Sequence, residues 1–396
     1  MKKTIVTDKD KIQNLLKRGV ENIFVKEILE QKLSSGKKLK VFLGIDPTGP
    51  TLHIGHAIPL MKLKQFQDLG HEVILLMGDF TAMIGDPTDK TATRRQLTRK
   101  EVLNNLKKYK KQASTFLKFT GENKAEIKFN SKWLSKMNFS DVLNLASSVT
   151  VDQMLKRDMF VRRNEENKPI FIHEFMYPLM QGYDSVAMNI DVEVGGNDQT
   201  FNMLVGRDLV SQILKKDKSV LATKLLEDNT GKKMGKTEGN MVTLENNEDE
   251  MFGKIMSWAD SLILKGFELC TEVDLSTIKE EENPRDLKMR LAFEIVKIYH
   301  GEKKAKEAEE NFVKTFQKKE IPEEMEEIKT SAGEILSEVL VKNKILSSKG
   351  EWRRLVLENA IHDLLKNKNI TDVNLKVSEN LKLKIGKKRF VKIIVK

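Results

Sequence analysis

Residues 41–80 read VFLGIDPTGPTLHIGHAIPLMKLKQFQDLGHEVILLMGDF. The segment opens on an apolar run, VFLGID, that ends at an Asp-Pro pair. A helical pattern follows over about 55–69 and closes at Gly70, the residue type that most easily takes the left-handed conformation after a helix. EVILLMGDF, at 72–80, is a second apolar run. Strand, helix and strand in one short stretch make a βαβ unit, which requires a parallel sheet. Both runs end in polar, glycine-bearing loops, and in open α/β sheets ligands bind at the carboxyl ends of the strands.

Outward from this unit the pattern continues. Thr98 with Glu101 is a capping box that opens a helix expected to run to about Phe119. AEIKFN (125–130) reads as a strand, 140–160 and 173–188 as helical, NIDVEVGGNDQ (189–199) as a strand and 199–214 as a helix. Residues 1–225 are therefore expected to form one α/β domain with an insertion at about 115–190. From 247 to 317 the periodicity is helical, and 226–320 is expected to be a separate helical region. The charged, proline-bearing stretch 318–333 reads as a linker. From 331 the tail reads as two helices, SAGEILSEVLVKNKI and WRRLVLENAIHDLL, followed by short strands, VNLKV and LKLKIGKKRFVKIIV. The last of these alternate lysine with apolar residues, which gives one buried and one basic face.

The 396 residues carry a net charge of +11. Residues 331–396 hold 15 Lys and Arg against 7 Asp and Glu, a net of +8. A run of charge can be a solvated surface, or it can be a module that binds polyanions by displacing counterions from phosphates. One cysteine, Cys270, cannot form a disulfide within the chain. No apolar stretch is long enough for a membrane span, and the N-terminus lacks the apolar core of a signal peptide, so a cytoplasmic protein is expected.

Two constellations carry chemistry. His53 and His56 bracket Ile-Gly at the expected start of a helix. No partner carboxylate or cysteine makes a metal set of them. Gly55 permits close backbone approach, and the free N–H groups and dipole of a helix start favour an anion. The pair reads equally as anion donors or as capping and packing rings. The second constellation is GKKMGKTEG (231–239), a lysine cluster punctuated by glycine. It is either an exposed loop or a cationic clamp on a nucleotide triphosphate. It lacks the pattern of a Walker loop.

HIGH, followed far downstream by KMGKT, resembles the paired signatures of class I aminoacyl-tRNA synthetases. GIDPTGPTLHIGH, GDFTAMIGDPT, EFMYPLMQGYDSV and VGGNDQTFNMLVGRDL resemble the bacterial-type tyrosyl-tRNA synthetases, in that family's order and over nearly the whole chain. Gly235 and Thr237 stand where the usual signature has serines. The resemblance implies a Rossmann-like parallel-sheet catalytic domain with an insertion, an α-helical anticodon-side domain, and a small α+β RNA-binding domain at 331–396 of the kind shared with a ribosomal protein.

It also implies roles. His53, His56, Lys233 and Lys236 would meet the ATP phosphates, with Lys90 and Arg94 as further contacts to the pyrophosphate. Asp46, Thr48, Gly55, Gly196 and Asp198 would lie along ATP. Asp86, Tyr177 and Gln181 would hold the substrate ammonium, Gln199 would lie near its carboxylate, and Asp184 would accept the tyrosine phenol. Arg353, Arg354, Lys387, Lys388 and Arg389 would contact RNA, with Trp352 packing. ATP is expected as its magnesium complex, with no tightly bound cofactor and no protein-borne metal site. The implied partners are tRNA(Tyr), tyrosine and a second copy of the chain.

Elementary chemistry agrees with these roles. A zwitterionic amino acid needs an acidic or polar nest for its ammonium. Selecting tyrosine over phenylalanine needs a buried polar group that the wrong substrate leaves unpaired, a discrimination for which this enzyme family is itself the standard example. One departure stands out. Many relatives place a tyrosine four residues before the Asp-Pro-Thr, where this chain has Phe42, so the chain resembles the second bacterial subtype and its substrate phenol lacks one partner. The rival readings are a tryptophan-specific relative and a non-catalytic RNA-binding paralogue.

Overall fold

The computed structural model describes residues 4–86, 96–227, 241–279, 283–317, 325–366, 368–386 and 389–395. They form two compact units, Met1–Glu309 and Glu310–Lys396. The first unit contains the whole of the expected α/β domain and the chain that follows it as far as Glu309.

Six strands make the sheet of the first unit: β1 (Val20–Phe24), β2 (Lys40–Ile45), β3 (Glu72–Met77), β4 (Glu126–Phe129), β5 (Val192–Gly196) and β6 (Ser219–Thr223). Their spatial order is β1-β6-β5-β2-β3-β4. All neighbours are parallel except β1, which runs antiparallel to β6. The five parallel strands thus have the order of a Rossmann sheet, with the reversal of winding between β2 and β5. There β2 and β5 pair at Val41↔Val192 and Phe42↔Glu193.

Side chains alternate between the two faces, as the pleat requires. Val41, Leu43, Val73 and Leu75 pack into one core with Leu60, Leu63 and Phe66 of the helix Ile54–Asp68. Phe42, Ile74 and Leu76 face the other way, against Met188 and Ile190. The helix Ile54–Asp68 ends as its glycine foretells. Gly70 takes φ +97°, its N–H reaches Gln67 O, and the N–H of His71 reaches Phe66 O, which satisfies the last carbonyls.

Several expectations change. The helix expected from Thr98 to Phe119 is two helices, Arg99–Leu106 and Tyr109–Ala113. The break lets Tyr109 Oη donate to Gly49 O and Gln112 Oε1 accept from Leu52 N, so that both side chains brace the loop after β2. The region 140–160 holds three short helices, beginning at Phe139, Val151 and Asp158. The N-terminal helices Lys9–Lys17 and Lys26–Ser34, and strands β1 and β6, are additions to the sequence reading.

In the second unit the strands are β7 (Glu326–Thr330), β8 (Ile361–Asp363), β9 (Lys368–Asn369), β10 (Leu381–Ile385) and β11 (Arg389–Val395), in the order β7-β11-β10-β8-β9. Part of the expected linker is therefore strand β7, which lies parallel to β11. The helix expected over 352–365 ends at Leu357, because Asn359 turns left-handed at φ +52° and Ala360 N caps back to Leu355 O. The chain then continues as β8. VNLKV is not a strand; Lys376 makes one isolated bridge to Ile335. The alternation of β10 and β11 is as read: Leu381, Leu383, Ile385, Val391 and Ile393 are buried while the intervening lysines are not.

Candidate active site

The carboxyl ends of β2, β3 and β5 converge at the point where the winding reverses. Asp46 follows β2 directly. Its carboxylate lies so close to the end of β3 that a Cβ on Gly78 would stand 1.9 Å from Asp46 Oδ1, so only glycine fits there. Thr48, next on this loop, is exposed, and its N–H closes a tight turn onto Asp46 O.

His53 is the N-cap of the helix Ile54–Asp68. Gly55 N donates to His53 Nδ1 at 3.1 Å, and His53 N donates to His56 Nδ1 at 3.2 Å. With both Nδ1 atoms accepting from the backbone, each neutral ring carries its proton on Nε2. The rings sit 3.9 Å apart, and Gly55 leaves them room, since a Cβ there would stand 3.0 Å from the His53 ring. Capping and donor roles are thus compatible in one pair. Alongside runs 242–244: Ile54 N donates to Val242 O and Leu244 N to Leu52 O. These residues follow closely on Lys233 and Lys236, which lie outside the described residues, as do Lys90 and Arg94.

A polar chain crosses the interior on the other side. Tyr177 Oη donates to Asp46 Oδ2 at 2.8 Å, and Thr81 Oγ1 donates to Asp46 Oδ1 at 2.7 Å. Asn130 Nδ2 donates to Thr81 Oγ1 at 3.0 Å and to Asp184 Oδ2 at 3.2 Å. Trp133 Nε1 donates to Asp184 Oδ1 at 2.7 Å. Tyr177, Gln181 and Asp184 share one face of the helix Ile172–Ala187. Asp86 accepts from Gln199 Nε2 at 2.7 Å and pairs with Arg157 at 3.2 Å. Gln199 Oε1 in turn accepts from Asn202. After β5, a Cβ on Gly196 would stand 2.5 Å from Asp198 Oδ1, so the glycine gives the Asp198 carboxylate its place.

Burial dominates the electrostatics here. It pushes the Asp46 carboxyl up to about 7, against the pull of Thr81 and Tyr177, with Asp86 and Asp79 adding repulsion. The Asp184 carboxyl is driven well above the ordinary range by burial, opposed by Trp133 and Asn130 and reinforced by Glu193 and Asp46. The Tyr177 phenol is pushed far up by burial and then by Asp46 and Asp86. Several carboxylates that repel one another in a desolvated pocket are a place where a cation is welcome.

The structure therefore gathers Asp46, Asp86, Tyr177, Gln181, Asp184 and Gln199, and it adds Asn130, Trp133, Arg157 and Glu193, which the sequence reading left out. Phe42 is fully buried in an apolar cluster that Trp133 also joins. In the second unit Arg353 and Arg354 are exposed, and the buried Trp352 packs with its Nε1 bonded to Val373 O. Arg389 is held by Glu351 and by Ile345 O. Lys387 and Lys388 lie outside the described residues.

Comparison with known proteins places the chain in a family. The family described as tRNA synthetases class I (W and Y) matches residues 34–317. A tyrosine–tRNA ligase of Carboxydothermus hydrogenoformans is 46% identical over 96% of this chain and 97% of its own. One from Thermotoga maritima is 44% identical over 96% of each. Among solved structures, a truncated mitochondrial tyrosyl-tRNA synthetase of Aspergillus nidulans superposes with a TM-score of 0.65 at 24% identity, covering 78% of this chain and 95% of that one. Tyrosyl-tRNA synthetase of Archaeoglobus fulgidus complexed with L-tyrosine superposes with a TM-score of 0.60 at 21% identity, over 76% and 99%. These two show the shared fold, and the family match and the close relatives show the kinship: the chain belongs to the class I tRNA synthetases (W and Y).

Proposed function

We infer that this chain is a tyrosine–tRNA ligase. It activates tyrosine with ATP, releasing pyrophosphate, and transfers the tyrosyl group to the 3′ end of tRNA(Tyr). The observation that carries the reading is the buried Asp184 carboxylate, held by Trp133 and Asn130 on the helix face that also presents Tyr177 and Gln181. A phenol hydroxyl can add a third donor to this group, whereas phenylalanine offers none and forgoes that hydrogen bond, at a cost of about 1–3 kcal/mol. Tryptophan presents an indole N–H of different reach.

The residue roles follow from this reading. Asp86, Tyr177 and Gln181 hold the substrate ammonium, with Gln199 near the carboxylate. His53 and His56 donate through Nε2 to ATP phosphates at the helix start, and Asp46, Thr48, Gly55, Gly196 and Asp198 line the nucleotide. Lys233 and Lys236, with Lys90 and Arg94, neutralise the departing pyrophosphate. No protein nucleophile is needed. The tyrosine carboxylate attacks the α-phosphorus, pyrophosphate leaves, and the terminal hydroxyl of the tRNA then attacks the acyl-adenylate and displaces AMP. The protein contributes position and charge stabilisation. ATP enters as its magnesium complex, as substrate rather than resident cofactor.

Division of labour along the chain belongs to the same proposal: catalysis in 1–225, an anticodon-side role for 226–320, and RNA contacts from 331–396 through Arg353 and Arg354. Changing both arginines to alanine raises KM for tRNA and leaves pyrophosphate exchange intact; equal loss in both assays contradicts the division. A homodimer built through the 115–190 insertion is supported by Phe139 and Ile172, which are 78% and 81% exposed. A cytoplasmic location agrees with the lack, among the described residues, of any helix long and apolar enough to cross a membrane.

ATP–pyrophosphate exchange with tyrosine, phenylalanine and tryptophan tests the function. Exchange stimulated by tyrosine well above the other two is expected. Absence of tyrosine stimulation contradicts the reading.

A further inference from the structure

Beside the pocket lies an ion pair to which the reaction as described gives no role. Glu193, in β5, and Lys218, just before β6, have side chains 3% and 0% exposed, and their charged groups are in direct contact. A buried pair of this kind is weak evidence of stability, because apolar residues of similar volume often serve the fold as well or better. Its presence therefore calls for another explanation, and its hydrogen bonds supply one.

Glu193 Oε1 accepts from Gln181 Nε2 at 3.0 Å, and Oε2 accepts from Ser185 Oγ at 3.3 Å as well as from Lys218. Lys218 Nζ donates further to Met203 O at 3.2 Å and lies 6.0 Å over the ring of Phe42. Gly206 leaves room for the ammonium, and Gly182 lets its helix close against the helix of Gly206. A Cβ on Gly206 would stand 2.6 Å from Lys218 Nζ, and one on Gly182 would stand 2.7 Å from Leu209 Cδ1. Phe42 is the register partner of Glu193 across β2 and β5, so the two side chains share a sheet face. The ring that offers no hydroxyl to a substrate covers the ammonium that Glu193 requires.

The consequence falls on Gln181. A glutamine amide has a donor end and an acceptor end, and an ionised carboxylate can only accept. Glu193 therefore engages the nitrogen of the amide and leaves its oxygen to face elsewhere. An ammonium needs that oxygen; a flipped amide would present N–H groups to it. Lys218 supplies the counter-charge that a carboxylate buried away from water needs.

We propose that Glu193 and Lys218 are positioning residues for the amino-acid substrate, which fix the Gln181 amide with its oxygen toward the substrate ammonium. This rests on the reading of Gln181 as an ammonium ligand. The pair touches no reacting atom, and its effect is confined to amino-acid binding.

The test is pyrophosphate exchange by the full chain, with KM measured separately for tyrosine and ATP. The variants are Gln181→Ala, the apolar exchange Glu193→Leu with Lys218→Met, and all three changes together. The exchange of the pair is expected to raise KM for tyrosine about tenfold, the worth of one hydrogen bond to a charged group. KM for ATP stays unchanged. With Gln181→Ala already present, exchanging the pair adds nothing further. If KM for tyrosine is unmoved by the exchange, or rises by the same factor without Gln181, the proposal is overturned. If Gln181→Ala alone leaves KM for tyrosine unchanged, the ammonium reading of Gln181 fails first. Should the apolar exchange not fold, Glu193→Gln with Lys218→Gln keeps the volume, removes the enforced polarity, and is judged by the same outcomes.

Discussion

Carboxylates paired with lysines occur in both units, and their settings are opposite. Glu193 and Lys218 are sealed inside the first unit, while Glu327 and Lys392 join β7 to β11 in the second with side chains 49% and 36% exposed. The outer pair keeps most of its water and exchanges one good environment for another. The inner pair has given up its water, so each member depends on the other and on the groups that fill its remaining positions. Where solvent is absent, polar side chains set one another's orientation, and that is what a site that must recognise both ends of an amino acid requires.

This contrast is open to attack at several points. The largest effect is expected for Lys218→Met alone. It strands Glu193 in the interior and should cost about 3–5 kcal/mol in denaturant unfolding. A loss as small as that of a surface pair would refute the contrast. Next comes Trp133→Phe, which removes the 2.7 Å bond to Asp184. A hydrogen bond to such a group is worth about 1.5–3 kcal/mol, so the preference for tyrosine over phenylalanine should fall roughly tenfold or more. An unchanged preference would separate Trp133 from recognition.

Asp46 gives a prediction in pH. Its carboxyl is raised from 3.8 to about 7, so between these values the folded state binds more protons than the unfolded one. Stability from this group is therefore fully present below about pH 4 and is lost as pH rises towards and through 7. Asp184, shifted in the same direction, adds to the fall. Asp46→Asn should flatten the decline over pH 4–7 in thermal unfolding. An identical slope in the variant contradicts the assignment. The smallest effect is expected for Lys392→Ala on the surface, about 0.2–1 kcal/mol and diminishing with salt.

How much of this could be read in advance depends on the range of each interaction. The parallel strands β2 and β3 were legible because VFLGID and EVILLM are continuous apolar runs, as strands covered on both faces must be. The start of the helix at His53 and its end at Gly70 were legible because capping is a local matter. β1 was not, since VENIF is polar at an edge and owes its conformation to β6. β7 was hidden by the charge around it, although the buried Ile328 and Thr330 alternate with exposed neighbours. Around Asp184 the helix spacing was readable, but Asn130 and Trp133 reach it from more than fifty residues away, and nothing in AEIKFNSKWL announces that meeting. Arg157 arrives at Asp86 from the insertion, seventy-one residues on. The vacancy suspected from Phe42 is a packed apolar wall, and the polar group behind it is Lys218.

The role of Asp184 in selecting tyrosine is measured most directly by the ratio of kcat/KM for tyrosine over phenylalanine in ATP–pyrophosphate exchange, in the unaltered chain and in Asp184→Ala. A large ratio is expected in the first and a collapse of that ratio in the second, with KM for ATP unchanged. A ratio that survives the loss of Asp184 would contradict it.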